Sequence, residues 1–256
     1  MNRIYSKVAL DMFIMQGTWA FGFMTILFFI QSGKIVLSLF NDKSVNTYFD
    51  SLFFTSNIVM LVVGIISAVG VLSHYVGNGV TRKDFFKGTM IGTIGLSIVM
   101  PIVGTIVSSL LNFIVKLINM QVEIKPYDGL INEPDGNIIS DIILSVIFTP
   151  YEDPIGNWLL AIFILAINMF TYYVAGWLIG AAFGRFGIFG ILSIIFAFIL
   201  IFIEDILISK GLGLPVPSFM QNVEVPFILS VIGTVVLLAV FCWIIRQLTK
   251  RIIVKL

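Results

Sequence analysis

The sequence predicts an all-α integral membrane protein, on the evidence of its composition and of six long apolar runs. Of the 256 residues, 59% are apolar and only 11% are charged, whereas a soluble domain carries about a quarter charged residues. An apolar run of about 18 residues or more can cross a bilayer as a helix, because a helix satisfies its backbone hydrogen bonds internally. Residues 1–256 are therefore predicted to form one transmembrane domain with six spans, at residues 12–30, 51–73, 88–115, 155–183, 186–203 and 225–245.

The first run could be a secretion signal, because Arg3 and Lys7 precede it. It is longer than the apolar core of a signal peptide, and no cleavage site of small residues follows it, so it is predicted to be a span. Residues 2–11 combine apolar and charged side chains at a spacing that suits a short helix at the inner membrane surface. A frayed basic terminus fits the same spacing equally well, so both interpretations remain open.

The distribution of Lys and Arg predicts the orientation of the chain, because basic loops are retained on the cytoplasmic side. With six spans, both termini and two loops share one side, which carries ten of the 15 basic residues but only two of the 14 acidic ones. The chain is therefore predicted to be a multi-pass protein of the cell membrane with both termini in the cytoplasm. The basic residues of that side are Arg3, Lys7, Arg82, Lys83, Lys87, Arg185, Arg246, Lys250, Arg251 and Lys255.

The largest hydrophilic segment, residues 119–154, is predicted to lie outside the cell. Within it, Ile138, Ile142 and Val146 each begin an apolar pair, so that apolar side chains recur every four residues. This spacing predicts a helix that lies on the outer surface and ends before Pro150.

The chain lacks the motifs that build common hydrolytic and nucleotide-binding sites. It has no Gly-x-x-x-x-Gly-Lys-Ser/Thr loop for phosphates, no His-Glu-x-x-His and no Gly-x-Ser-x-Gly. The single cysteine, Cys242, excludes an intramolecular disulfide, and the single histidine, His74, excludes a His/Cys zinc site. No catalytic residue and no metal ligand is therefore predicted on this chain.

Glu204 and Asp205, late in the fifth run, are the nearest approach to an acid–base pair. Carboxylates inside a membrane are costly and often mark the path of an ion or a substrate. Because the pair lies near the outer end of its run, carboxylates at the membrane interface are the favoured interpretation. An outer gate on a transport path is the alternative.

Small and amide side chains inside the runs predict contacts between helices. Gly176, Gly180 and Gly184 recur every four residues, which predicts a face that packs closely on another helix, within the subunit rather than across a dimer. Four amides inside the runs are predicted to form hydrogen bonds between helices rather than to line a passage. They are Gln16, Asn57, Asn112 and Asn168.

The segment "HYVGNGVTRKDFFKGT", residues 74–89, holds a dense cluster of basic and turn residues between the second and third runs. The sequence Gly-Asn-Gly at 77–79 breaks the preceding helix, and Thr81 with Asp84 predicts a capping box that starts a new one. The rule that basic loops stay inside explains the charge, but it explains neither the cap nor two exposed aromatic residues. A capped helix with exposed cations and aromatics favours docking on another protein. It would present Arg82, Lys83, Phe85, Phe86 and Lys87.

At these residues the sequence "GNGVTRKDFFKGT" resembles ABC-2-type permeases, the membrane subunits of ATP-binding-cassette exporters. The resemblance implies an N-terminal elbow helix, six spans, and a cytoplasmic coupling helix between the second and third spans that docks on a separate ATPase. It also implies a short second cytoplasmic turn, here "GRFG". The implied docking residues are Asn78, Gly79, Thr81, Arg82, Lys83, Asp84, Phe85, Phe86, Lys87 and Arg185.

More narrowly, the chain is similar to the membrane subunits of the staphylococcal exporters of phenol-soluble modulins, which are amphipathic cytolytic peptides. This similarity implies a permease that is not itself an enzyme and that works in the lipid bilayer beside a second permease subunit, identical or related. ATP and Mg²⁺ would be bound by the partner ATPase, no cofactor by this chain, and no nucleic acid is involved. The cargo would be an amphipathic peptide, with another antimicrobial peptide or a lipid-like compound as the alternative.

Two other classes of protein remain open. One is a channel or carrier that works without ATP. The other is a membrane-embedded enzyme that uses Glu204 and Asp205, although no nucleophile or metal ligand accompanies them. The external segment 119–154 is longer than the family pattern explains.

Overall fold

The computed structural model of the chain describes residues 4–41, 44–118, 124–125, 154–214, 216, 223 and 225–252. Seven α-helices run through these residues: α1 Ile4–Asn41, α2 Tyr48–Ile66, α3 Leu72–Gly77, α4 Arg82–Leu117, α5 Pro154–Phe186, α6 Leu192–Leu212 and α7 Phe227–Thr249. A π-helical segment, Ser67–Val71, joins α2 to α3, and a 3₁₀ segment, Gly187–Ile191, joins α5 to α6. Strands β1 (Val45–Asn46) and β2 (Ile124–Lys125) form a short parallel pair. The helix predicted around residues 138–147 lies outside the described residues.

The described residues contain five stretches that are long and apolar enough to cross a membrane. This confirms a helical chain whose character fits a multi-pass membrane protein. The stretches are Ile4–Phe40, Tyr48–Gly77, Arg82–Leu117, Gly156–Leu212 and Phe227–Thr249. The fourth and fifth predicted runs both lie in Gly156–Leu212, which is 57 residues long. The chain reverses within that stretch, because Glu204 of α6 lies beside Thr171 of α5.

Residues 4–11 are the first turns of α1 and do not form a separate elbow helix. No proline or glycine separates them from the apolar run, so nothing in the sequence interrupts the helix there. Val8 and Ala9 pack on α4: a methyl group added at Gly88 would lie 2.6 Å from the Cβ of Val8, and one at Gly92 would lie 2.7 Å from the carbonyl oxygen of Ala9. One side of these first turns is therefore buried against α4, while Ile4 and Leu10 remain exposed.

Helix α5 lies at the centre of the bundle, where it packs very closely on α2. A methyl group at Gly176 would lie 2.0 Å from the carbonyl oxygen of Leu61, and one at Gly180 would lie 2.7 Å from the Cβ of Ala68. From the opposite side, a methyl group at Gly64 would lie 2.3 Å from the carbonyl oxygen of Tyr173. The two backbones are in contact, which only glycine permits at these positions. Gly184 of the predicted stripe instead faces Ile252.

The start of α2 is fixed by a complete capping box. The hydroxyl of Thr47 accepts a hydrogen bond from the backbone N–H of Asp50 (3.1 Å), and the Asp50 carboxylate accepts one from the N–H of Thr47 (2.8 Å). Both residues are buried, so each satisfies a backbone donor that water cannot reach.

Candidate functional site

The turn between α3 and α4 is held by side chain and backbone together. The side-chain amide of Asn78 donates to the carbonyl oxygen of His74 at 2.8 Å, and the backbone N–H of Asn78 donates to the same oxygen at 3.2 Å. Gly79 follows with a φ of 84°, a conformation that favours glycine. These contacts fix the point at which the chain leaves α3.

Thr81 starts α4, as the sequence predicts. Its hydroxyl accepts a hydrogen bond from the backbone N–H of Asp84 at 3.1 Å and donates to the Asp84 carboxylate at 2.7 Å. From this cap the helix runs without a break to Leu117. The predicted docking segment is therefore the first turns of α4, not a separate coupling helix, because the glycines that follow pack on α1 and do not end the helix.

The prediction of two exposed aromatic residues is wrong for Phe85, which is 0% exposed. Its ring centroid lies 5.4 Å from that of Tyr75 in α3 and 6.1 Å from that of Trp177 in α5. Phe86 is half-buried and its ring lies 5.3 Å from Trp177. These positions face α5, whose residues come about 90 positions later in the sequence. The aromatic pair therefore holds the loop to the bundle.

The surface of the 74–89 segment is polar and basic. Its exposed polar side chains and glycines are His74, Gly77, Asn78, Gly79, Thr81, Lys83 and Lys87. Arg82 and Asp84 are half-buried. Of the residues expected to contact a partner, all but Phe85 therefore reach the surface at least in part.

Arg82 joins this segment to the end of α7. Its guanidinium donates to the carbonyl oxygen of Lys250 at 2.5 Å. Ile252, two residues further on, contacts Gly184 near the end of α5. Arg185 follows Gly184 and places its guanidinium 4.7 Å from the ring centroid of Phe186. Both segments of the expected docking surface therefore lie at the same end of the bundle.

Two contacts join the segment to the start of α1. The hydroxyl of Tyr75 donates to the carboxylate of Asp11, and the ammonium of Lys87 lies 5.8 Å from the ring centroid of Tyr5. Together with Trp177 and Lys250, these residues connect one short segment to α1, α5 and the end of α7. A displacement of the segment would act on all three.

A buried polar network crosses the bundle at Gln16. The amide nitrogen of Gln16 donates to the hydroxyls of Ser67 and Tyr173, and its oxygen accepts from the hydroxyl of Thr93, each at 3.1 Å. All four side chains are 0% exposed. The prediction that Gln16 forms hydrogen bonds between helices is confirmed. Its three partners were not predicted, because a hydroxyl in an apolar run gives no sign of which helix it will meet.

The prediction of a hydrogen bond between helices is wrong for Asn168, whose amide nitrogen and oxygen both lack a hydrogen-bond partner among the described residues.

Glu204 and Asp205 depart from the prediction that they are carboxylates at the membrane interface. Carboxylates at a membrane interface would be accessible, yet these are 0% and 2% exposed. Helix α6 continues to Leu212, well past the end predicted at residue 203, and α5 covers the pair.

No protein-family model, no curated protein and no solved structure matches this chain.

Proposed function

We propose that this chain is the transmembrane subunit of an ATP-driven exporter of the ABC-2 permease type. In this arrangement α5 and α6 supply the fourth and fifth of six crossings, because the chain reverses at Gly187–Ile191. Six crossings place both termini and the 74–89 segment on the side richest in Lys and Arg, the cytoplasmic side. A separate ATPase would then dock where basic side chains are exposed.

The observation that carries this proposal is the set of contacts behind the 74–89 segment. An exporter needs a surface for the ATPase and a rigid connection from that surface to the spans. Lys83 and Lys87 are exposed on the first turns of α4, while Phe85 on the buried side of the same turns packs against Trp177 of α5. We therefore assign Phe85 to transmission of movement and the exposed residues to contact. Bistable packing of such elements is the usual basis of switching between states.

A second copy of the chain, or a related one, would complete the transport path. Much of α7 has no partner within the described residues: Ile228 is 71% exposed, Leu229 63% and Trp243 61%. A surface of this kind is covered either by lipid or by another subunit. The proposed cargo is an amphipathic, membrane-active peptide of the phenol-soluble modulin type, which can keep its polar face at the interface while its apolar face enters between helices.

Charge reversal of the exposed lysines tests the docking surface. We expect Lys83→Glu with Lys87→Glu to lose the soluble ATPase that copurifies with the wild-type chain, because both cations face outward. The matched control is Lys34→Glu with Lys116→Glu, which reverses two exposed lysines at the opposite end of the bundle. The measurement is the ATPase-to-permease ratio after purification from membranes, with equal membrane insertion of both variants verified first.

A wild-type chain that transports without any copurifying ATPase would contradict the exporter and favour a channel or carrier. Retention of a fully active ATPase by the Lys83/Lys87 variant would contradict this docking surface. Stimulation of the ATPase by amphipathic peptides, but not by a sugar or a salt, would support the proposed cargo.

A further inference from the structure

The pair formed by Glu204 and Asp205 lies deep in the bundle. Glu204 is twelve residues after Leu192, the first residue of α6, which corresponds to about 18 Å along the helix axis. The described residues offer neither carboxylate an ion pair, and none of the four carboxylate oxygens has a full hydrogen bond. An ionised carboxylate is expensive to bury without a compensating charge. Ionisation of the pair would therefore require a positive partner that the described residues do not supply.

Helix α5 presents polar groups to this pair. Thr171 and Asp205 both lie near the Glu204 carboxyl, although these contacts fall short of hydrogen-bond geometry. Tyr172 lies close enough to interact electrostatically with both carboxylates. Asn168 lies one helical turn before these two residues, on the same face of α5. Polar side chains of α5 therefore lie along the face of that helix that meets the pair.

Two side chains on this face of α5 are buried polar groups that lack partners of their own. Thr171 and Asn168 are 0% exposed, and neither the Thr171 hydroxyl nor either polar atom of the Asn168 amide has a full hydrogen bond among the described residues. Buried polar groups in native proteins are nearly always paired, so an unpaired cluster calls for an explanation, and a bound ion is one. Helix packing alone does not explain why two neutral polar side chains accompany the carboxylates.

We propose that Glu204 and Asp205 bind a calcium ion, with oxygen ligands from Thr171 and Asn168 completing the site. Two carboxylates carry a charge of −2 when ionised, which a divalent cation neutralises. All the available donors are oxygens, which suit Ca²⁺ or Mg²⁺ rather than zinc. Mg²⁺ gives up its water reluctantly, whereas Ca²⁺ accepts six to eight oxygen ligands in flexible geometry. A closely packed site of protein oxygens therefore favours Ca²⁺.

The bound ion would join α6 to α5. Both carboxylates belong to α6, and both neutral ligands belong to α5, so the ion bridges the two arms of the hairpin. No group of three or more His, Cys, Asp or Glu side chains converges in the residues that the structure describes, which makes the neutral oxygens necessary. This proposal does not depend on the exporter assignment, because it concerns binding to the isolated chain.

Titration of the purified full-length chain tests the site. After treatment with a chelator, calorimetry with CaCl₂ is expected to show one ion bound per chain, and the midpoint of thermal unfolding is expected to rise with Ca²⁺. MgCl₂, titrated separately, should bind more weakly. Glu204→Gln with Asp205→Asn should abolish both responses, and Thr171→Val should weaken Ca²⁺ binding by about tenfold. Asp11→Asn, a matched loss of one exposed carboxylate in α1, should bind Ca²⁺ as the wild type does.

Absence of saturable Ca²⁺ binding to the wild-type chain would overturn the proposal. Equal binding by the Glu204/Asp205 variant would overturn it as well, since the ion would then lie elsewhere. Mg²⁺ binding as tight as that of Ca²⁺ would overturn the assignment to calcium. If the double variant does not fold, Thr171→Val decides: unchanged Ca²⁺ affinity in that variant removes α5 from the site and contradicts the bridge.

Discussion

Buried polar atoms are hydrogen-bonded at Gln16, where four helical segments meet, but at Glu204 and Asp205, where α6 packs on α5, they lack partners within the described residues. At Gln16, the amide nitrogen and oxygen are both hydrogen-bonded to hydroxyls of neighbouring helices. At Glu204 and Asp205, none of the carboxylate oxygens has a full hydrogen bond. A satisfied network specifies how helices pack, whereas an unsatisfied one costs free energy until something else binds. The first is a structural feature, and the second is the place where we propose a bound ion.

A substitution that forces α2 and α5 apart should disrupt the region around Gln16 most strongly. We expect Gly176→Val to lower the free energy of unfolding by about 3 kcal/mol, because even a methyl group would lie 2.0 Å from the backbone oxygen of Leu61. The Gln16 network depends on this contact, while the α5 face toward Glu204 does not. The measurement is denaturant unfolding in a fixed detergent. Gly22→Val is the control, since nothing lies within 4 Å of a methyl group there.

Removal of the Gln16 amide should also lower the free energy of unfolding, but by a smaller amount. Gln16→Leu leaves the buried hydroxyls of Ser67, Tyr173 and Thr93 without their shared partner, which we expect to cost about 2 kcal/mol of unfolding free energy. Asn112→Leu replaces a half-buried amide outside the network and should cost much less under the same denaturant. Equal losses from both substitutions would show that the network has no special role in packing.

Replacement of both carboxylates by amides should raise the free energy of unfolding instead of lowering it. In the presence of chelator, Glu204→Gln with Asp205→Asn is expected to raise the unfolding free energy by about 1 kcal/mol, because the variant no longer buries two acidic groups that lack partners in the described part of the chain. Added Ca²⁺ should then stabilise the wild type and not the variant, so that the order of stability reverses. A clear loss of stability in chelator would mean that the carboxylates form strong native contacts, and the contrast between the two regions would disappear.

Local features of this molecule could be read from the sequence, and features that depend on distant segments could not. The N-cap at Thr81 needs only Asp84, three residues away, and the structure has it, although the Asp84 carboxylate accepts from the Thr81 hydroxyl and not from the backbone N–H that a complete capping box requires. The burial of Phe85 depends on Trp177, which belongs to a helix whose position no local pattern fixes. Likewise, the fifth span was predicted to end at residue 203 because two acidic residues follow it. Helix α6 itself continues to Leu212, because Glu and Asp do not break a helix.

The candidate sites follow the same division. The basic residues at 82–87 and the glycines of α5 could be identified because their residue types are unusual in an apolar chain. The partners of Glu204 could not, since Thr171 and Asn168 are ordinary polar residues inside a long apolar run. Their importance comes from the reversal at Gly187–Ile191, which brings α6 back along α5.

The π-helical segment Ser67–Val71 has a consequence for the aromatic cluster behind the loop. A π turn holds about one residue more than an α turn, and each residue advances a helix by about 100°. In a regular helix, the residues after Val71 would therefore face a different direction, and Tyr75 would turn away from both Asp11 and Phe85. The single extra residue of the π turn thus sets the direction in which α3 faces relative to the polar network at Ser67. Its removal by deletion would rotate α3 by about 100° relative to α2 without changing any side chain that forms those contacts.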